Sequence, residues 1–96
     1  MENMFSGASN LIEVNVSGLN TSSVKTTRSM FLACSNLVNI KGLGQLDFQK
    51  VESLQEMFKM CYKLTTNDCN WQINNLKNAI STFESCRNIN YLKLTN

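Results

Sequence analysis

The chain contains no histidine and no proline, and only one tryptophan and four glycines in 96 residues. Without histidine it lacks the commonest general base and the commonest metal ligand, so acid–base catalysis and zinc chemistry lose their usual carriers. No apolar run approaches the roughly 18 residues a membrane-spanning helix needs. Met1-Glu2-Asn3-Met4-Phe5 lacks the charged-then-apolar layout of a signal peptide, so the chain is either made without export or is part of a longer exported protein. Charge is sparse: the net value is +2, and no window clusters Lys and Arg among aromatics as nucleic-acid binders do. What is abundant is Asn, Ser and Thr, residues whose side chains bond to nearby backbone and suit tight turns.

These residues are organised by repetition. Met4-Phe5 returns as Met30-Phe31, Met57-Phe58 and Thr82-Phe83, with the Phe residues 26, 27 and 25 positions apart. Three residues after each Phe stands a small side chain (Ala8, Cys34, Cys61, Cys86), and three further an aliphatic one (Leu11, Leu37, Leu64, Ile89). A period in this range marks a repeat protein in which no unit buries its apolar face alone. The copies are bounded as a partial repeat 1–23 and repeats 24–50, 51–75 and 76–96, forming a single module.

Within a copy, small or apolar residues recur at offsets of 3, 6, 7 and 10, as in Val51, Leu54, Met57, Phe58 and Cys61. That spacing predicts a short helix with one buried face. An alternating segment follows, as in Leu11-Ile12-Glu13-Val14-Asn15-Val16, and predicts a half-buried strand. Leu19, Leu46 and Trp71 are expected to anchor each crossing to the next helix, with the Trp71 indole N–H paired to Asn67 or Asn74. The expected fold is therefore an α/β repeat, a leucine-rich-repeat solenoid of about three and a half coils. Short parallel strands would form one face and short helices the other.

The string Met30-Phe31-Leu32-Ala33-Cys34-Ser35-Asn36-Leu37, with its counterparts from Met4 and Met57 and the turn Asn20-Thr21-Ser22-Ser23-Val24, resembles the BspA-like leucine-rich repeats. It is most similar to the roughly 26-residue repeat of mycoplasma and other bacterial surface lipoproteins. The resemblance implies display on a cell surface or secretion, and adhesion-type binding of a protein or glycan. Similar repeats in phage structural proteins imply the alternative of a virion or other large assembly.

The outward strand positions Glu13, Asn15, Asn39, Lys41, Thr66, Asp68, Tyr91 and Lys93 are the candidate ligand-binding residues, on what would be a concave, extended surface. Tyr91 is the one aromatic among them. Cys34, Cys61 and Cys86 share a slot that also accepts Ala8, which reads as a ladder of inert buried thiols, with Cys69 outside it. Four cysteines without C-x-x-C spacing hold no metal, and no cofactor or catalysis is expected. Repeat proteins cover their last apolar faces with caps, and neither end here carries one. Stacking on further repeats, on another copy of the chain, or within an assembly is the expected consequence.

Overall fold

The computed structural model describes residues 1–65, 70–87 and 93–95. Among the described residues there are four three-residue strands: β1 (Glu13–Asn15), β2 (Asn39–Lys41), β3 (Asn70–Gln72) and β4 (Lys93–Thr95). They form two separate parallel pairs. β1 lies on β2 with Val14 opposite Ile40, and β3 lies on β4 with Trp71 opposite Leu94.

The expected strand-and-helix leucine-rich-repeat solenoid is not what forms. Among the described residues there is no α-helix, only a single 3-10 turn at Leu43–Gln45, and the strands do not join into one sheet. Where helices were expected, the backbone runs as successive tight turns. Met30 N donates to Thr27 O and Cys34 N to Phe31 O, while Met57 N and Cys61 N repeat the pattern on Leu54 O and Phe58 O. The third residue of each turn has positive φ: Ser29 and Ala33, Glu56 and Met60, Ser81 and Ser85, with Asn3 and Gly7 in the first copy. An α-helix requires φ near −63° at every position, so a left-handed residue every fourth position forbids it.

The left-handed residues redirect hydrogen bonding. Ser29 N, Phe31 N and Ala33 N donate to Gln55 O, Met57 O and Lys59 O of the next copy, at 2.8–2.9 Å. Asn3, Phe5 and Gly7 do the same to Arg28, Met30 and Leu32, and Glu56, Phe58 and Met60 to Ile80, Thr82 and Glu84. A helix would spend these N–H groups on itself. Here every second one crosses to a neighbour, and this offsets the strain of non-glycine residues at positive φ. Each four-residue turn still buries residues at offsets of 3 and 4, which is why the apolar pattern imitates a helix.

The copies pack in register around one core. The rings of Phe5, Phe31, Phe58 and Phe83 stack in a row with centroids 5.3, 5.6 and 5.5 Å apart and planes within 12°. Met30, Met57, Val51, Leu37, Leu54 and Leu64 fill the interior beside them with no exposed surface. A second buried column, Thr21, Phe48 and Ile73, has no shared residue type to announce it. Thr21 earns its place by bonding: its hydroxyl donates to Asp47 O and accepts from Asp47 N, both at 2.8 Å.

The copies also differ. From β1 to Val24 the chain takes one residue fewer than from β2 to Val51, and the 3-10 turn absorbs the extra one. Gly42 leads it at φ 84°, and a Cβ there would lie 2.7 Å from Ser17 N and Cα. In the third copy the described strand begins at Asn70, twelve residues after Phe58, and β3 pairs with β4 and not with β2. Trp71 is buried there, against Phe48 at 4.4 Å and Phe58 at 6.3 Å. Its indole N–H donates to Leu43 O at 3.0 Å, a partner the sequence did not suggest, while Asn67 lies outside the described residues.

Candidate interaction surface

β1 and β2 place Glu13, Asn39 and Lys41 side by side on an exposed strand face, because their register sets Glu13 opposite Asn39 and Asn15 opposite Lys41. Asn39 Nδ2 donates to Glu13 Oε2 at 3.2 Å, and Lys41 Nζ lies 3.4 Å from Glu13 Oε1. The Asn39 amide and then the Lys41 ammonium hold the Glu13 carboxyl below its ordinary value, by bonding to the charged form. Asn15 is not free for a ligand: its Oδ1 accepts from Ser17 N at 2.9 Å and from Ser17 Oγ at 2.6 Å, an Asx turn that ends β1. Lys93 stands on β4 in register with Asn70. Thr66, Asp68 and Tyr91 lie outside the described residues, as do Asn67 and Cys69. The eight expected positions thus yield one defined cluster of three.

Next to this cluster is a shallow depression of about 360 Å³ lined by Asn10, Ile12, Asn36, Val38 and Lys63. Ile12 is 65% exposed and Val38 37%, although both are large aliphatics. Val38 N donates to Ile12 O at 2.8 Å and Thr65 N to Val38 O at 2.9 Å, so the two apolar side chains stand in successive copies at matched positions. Asn36 is pinned by a 2.8 Å bond from its Nδ2 to Ser9 O. Sequence reasoning passed over Ile12 and Val38. The available signal was two aliphatics at an outward slot that carries Thr65 in the third copy.

The thiols have a structural task. Cys34, Cys61 and Cys86 donate to Phe5 O, Phe31 O and Phe58 O at 3.1, 3.0 and 2.9 Å. Each of those carbonyls already accepts an N–H within its own turn, so the thiol of the following copy takes the second lone pair. Burial pushes the Cys61 thiol up to about 12, with the neighbouring Cys34 and Cys86 adding to it, and burial raises those two as well. A thiol held in this form is a poor nucleophile and a poor metal ligand. Among the described residues no cluster of three His, Cys, Asp or Glu is arranged to hold a metal ion.

Charged pairs otherwise bridge copies along the outside. Lys59 sits between Glu56 at 3.3 Å and Glu84 at 3.4 Å, which raise its ammonium above the ordinary value, Glu56 most. Arg87 lies over the Tyr62 ring at 5.0 Å.

No curated protein and no solved structure matches the chain. The sequence does match the family described as Mycoplasma protein of unknown function, DUF285, over residues 1–96, end to end. That coverage makes the chain a member of the DUF285 family of Mycoplasma proteins.

Proposed function

We propose that the chain is a non-catalytic interaction module of a bacterial surface or secreted protein. It binds a protein or glycan partner through the outward side of β1 and β2. The observation that carries this reading is the exposed cluster of Glu13, Asn39 and Lys41, preorganised on paired strands beside the aliphatic depression at Ile12 and Val38. Polar groups held in fixed positions around an apolar patch lose little entropy on binding. Two aliphatics exposed at matched positions, on a surface otherwise rich in Asn, Ser and Lys, need a reason to stay there. The likeness to BspA-like surface-lipoprotein repeats supports placement outside the cell. The protonated, buried thiols and the lack of histidine support a role without chemistry.

Two measurements test the reading. Antibodies to the chain should label intact mycoplasma cells as strongly as permeabilised ones; labelling only after permeabilisation refutes surface display. On a glycan array and a panel of purified matrix proteins, Lys41→Glu and Ile12→Asp should each abolish the hits of the natural chain while circular dichroism stays unchanged. Hits that survive both substitutions place the binding surface elsewhere and end this proposal.

A further inference from the structure

The outward slots of successive copies line up in two rows. Val38 N donates to Ile12 O and Thr65 N to Val38 O, so Ile12, Val38 and Thr65 form one row. Asn10, Asn36 and Lys63, each two residues earlier in the chain, form the other. Both rows line the aliphatic depression. Val38 belongs to the second copy and is bonded to a copy on either side, yet it stays 37% exposed. The depression therefore opens sideways, on the flank of the stack. A copy placed before Ile12 would lengthen its floor rather than roof it.

The chemistry of the rows changes from copy to copy. Ile12 and Val38 make an aliphatic floor, whereas the third copy places Thr65 there, its hydroxyl donating to Val38 O at 3.2 Å. On the rim, the amides of Asn10 and Asn36 give way to Lys63. Lys63 is exposed and is the one charge in the lining. Among the described residues it makes no ion pair and no hydrogen bond, while Lys41, Lys59 and Lys77 each lie 3.1–3.4 Å from a glutamate. An apolar floor followed by an unneutralised ammonium is complementary to an apolar group followed by an anion.

We infer, taking this flank as the binding surface proposed above, that its occupant is an extended peptide segment with an aliphatic residue two places from an Asp or Glu. On an extended peptide, side chains two residues apart point the same way and stand roughly 6.6 Å apart. The copies step by 5.3–5.6 Å along the ring row. An aliphatic side chain seated between Ile12 and Val38 thus stands between one and two copies from Lys63, and the flexible four-carbon stem of Lys63 spans the difference. The same stem lies along the floor's edge while its ammonium stays in water beside the peptide carboxylate. A peptide fits better than a sugar because the floor is made of branched aliphatics. The lining carries no aromatic ring on which the C–H face of a pyranose would stack.

The decisive experiment is a selection of random linear peptides displayed on phage against the immobilised chain, run in parallel on Lys63→Glu. Lys63 is exposed, so the variant should keep the circular dichroism of the natural chain. The natural chain should enrich an aliphatic residue followed two places later by Asp or Glu. The variant should keep the aliphatic preference and exchange the acid for Lys or Arg, a swap that only direct contact with residue 63 produces. For a peptide so selected, Lys63→Ala should weaken binding about two- to fivefold, as for a partly exposed ion pair, with the loss shrinking in molar salt. No enrichment on the natural chain overturns the inference, and so does the same acidic motif on both chains. Capture of an anionic sugar on a glycan array, with no peptide enriched, overturns the peptide occupant and leaves the surface itself standing. Failure of both selections removes the surface as well.

Discussion

Phe58→Ala is the most direct probe of the ring row. Phe58 is 1% exposed and is flanked by Phe31 at 5.6 Å, Phe83 at 5.5 Å and Trp71 at 6.3 Å. Deleting a buried aromatic side chain costs about 3–5 kcal/mol through lost transfer energy and the cavity left behind. Stacked pairs add about 0.5–1.5 kcal/mol each beyond area, and three are lost, so the upper part of that range is expected. A domain of this size has a total stability of about 5–15 kcal/mol, so the variant should lie near its unfolding limit. Urea titration followed by Trp71 fluorescence is the assay, since that indole reports on the same cluster. Phe5→Ala is the internal comparison: with one ring neighbour and a half-exposed face, it should cost about half as much or less. A Phe58→Ala cost below about 1 kcal/mol, or equal costs at the two positions, would show that the row does not carry the core.

Three further outcomes are expected. Gly42→Ala should destabilise by about 1–3 kcal/mol from the left-handed backbone alone, and by more in total because the new Cβ meets Ser17 backbone at 2.7 Å; a thermal melt like the natural chain's refutes the contact. Trp71→Phe should cost about 0.5–1.5 kcal/mol by removing the indole donor from the Leu43 carbonyl, which keeps the Leu46 N–H, in urea titrations read by far-ultraviolet circular dichroism, and a neutral effect removes that bond from the core. The Cys61 thiol binds its proton more tightly folded than unfolded, so its contribution is fully present below the ordinary value of 9.0 and is lost as pH rises from there toward 12. Cys61→Ala should flatten this alkaline decline in denaturant midpoints, and an unchanged slope refutes it.

Much of the packing could be read from the residues, whereas the backbone that delivers it could not. The Phe positions, the small slot at Ala8 and the cysteines, and the alternation around Val14 and Ile40 all reflect burial, which leaves a mark in residue type. The turns in place of helices left no such mark. Asn3 and Gly7 are the residue types that favour positive φ, yet Glu56, Met60 and Ala33 adopt it too, because bonds to the next copy compensate. Burial at offsets of 3 and 4 is common to an α-helix and to four-residue turns, so periodicity alone could not separate them. For the surface, outward alternation identified Glu13, Asn39 and Lys41, but the Asx turn that occupies Asn15 depends on Ser17 two residues later.

Because each turn lends half its donors to a neighbour some 26 residues away, the unit that can be gained or lost without damage is the whole copy. Excising residues 28–54 would bring Gln55 to the place of Arg28 and leave the turn donors of Asn3, Phe5 and Gly7 facing the carbonyls of Gln55, Met57 and Lys59. Excising a single residue from a turn would shift every later partner by one. A gene encoding such a chain can change its length in steps of one copy, while small insertions and deletions are confined to the crossings, where the extra residue beside Gly42 is already accommodated.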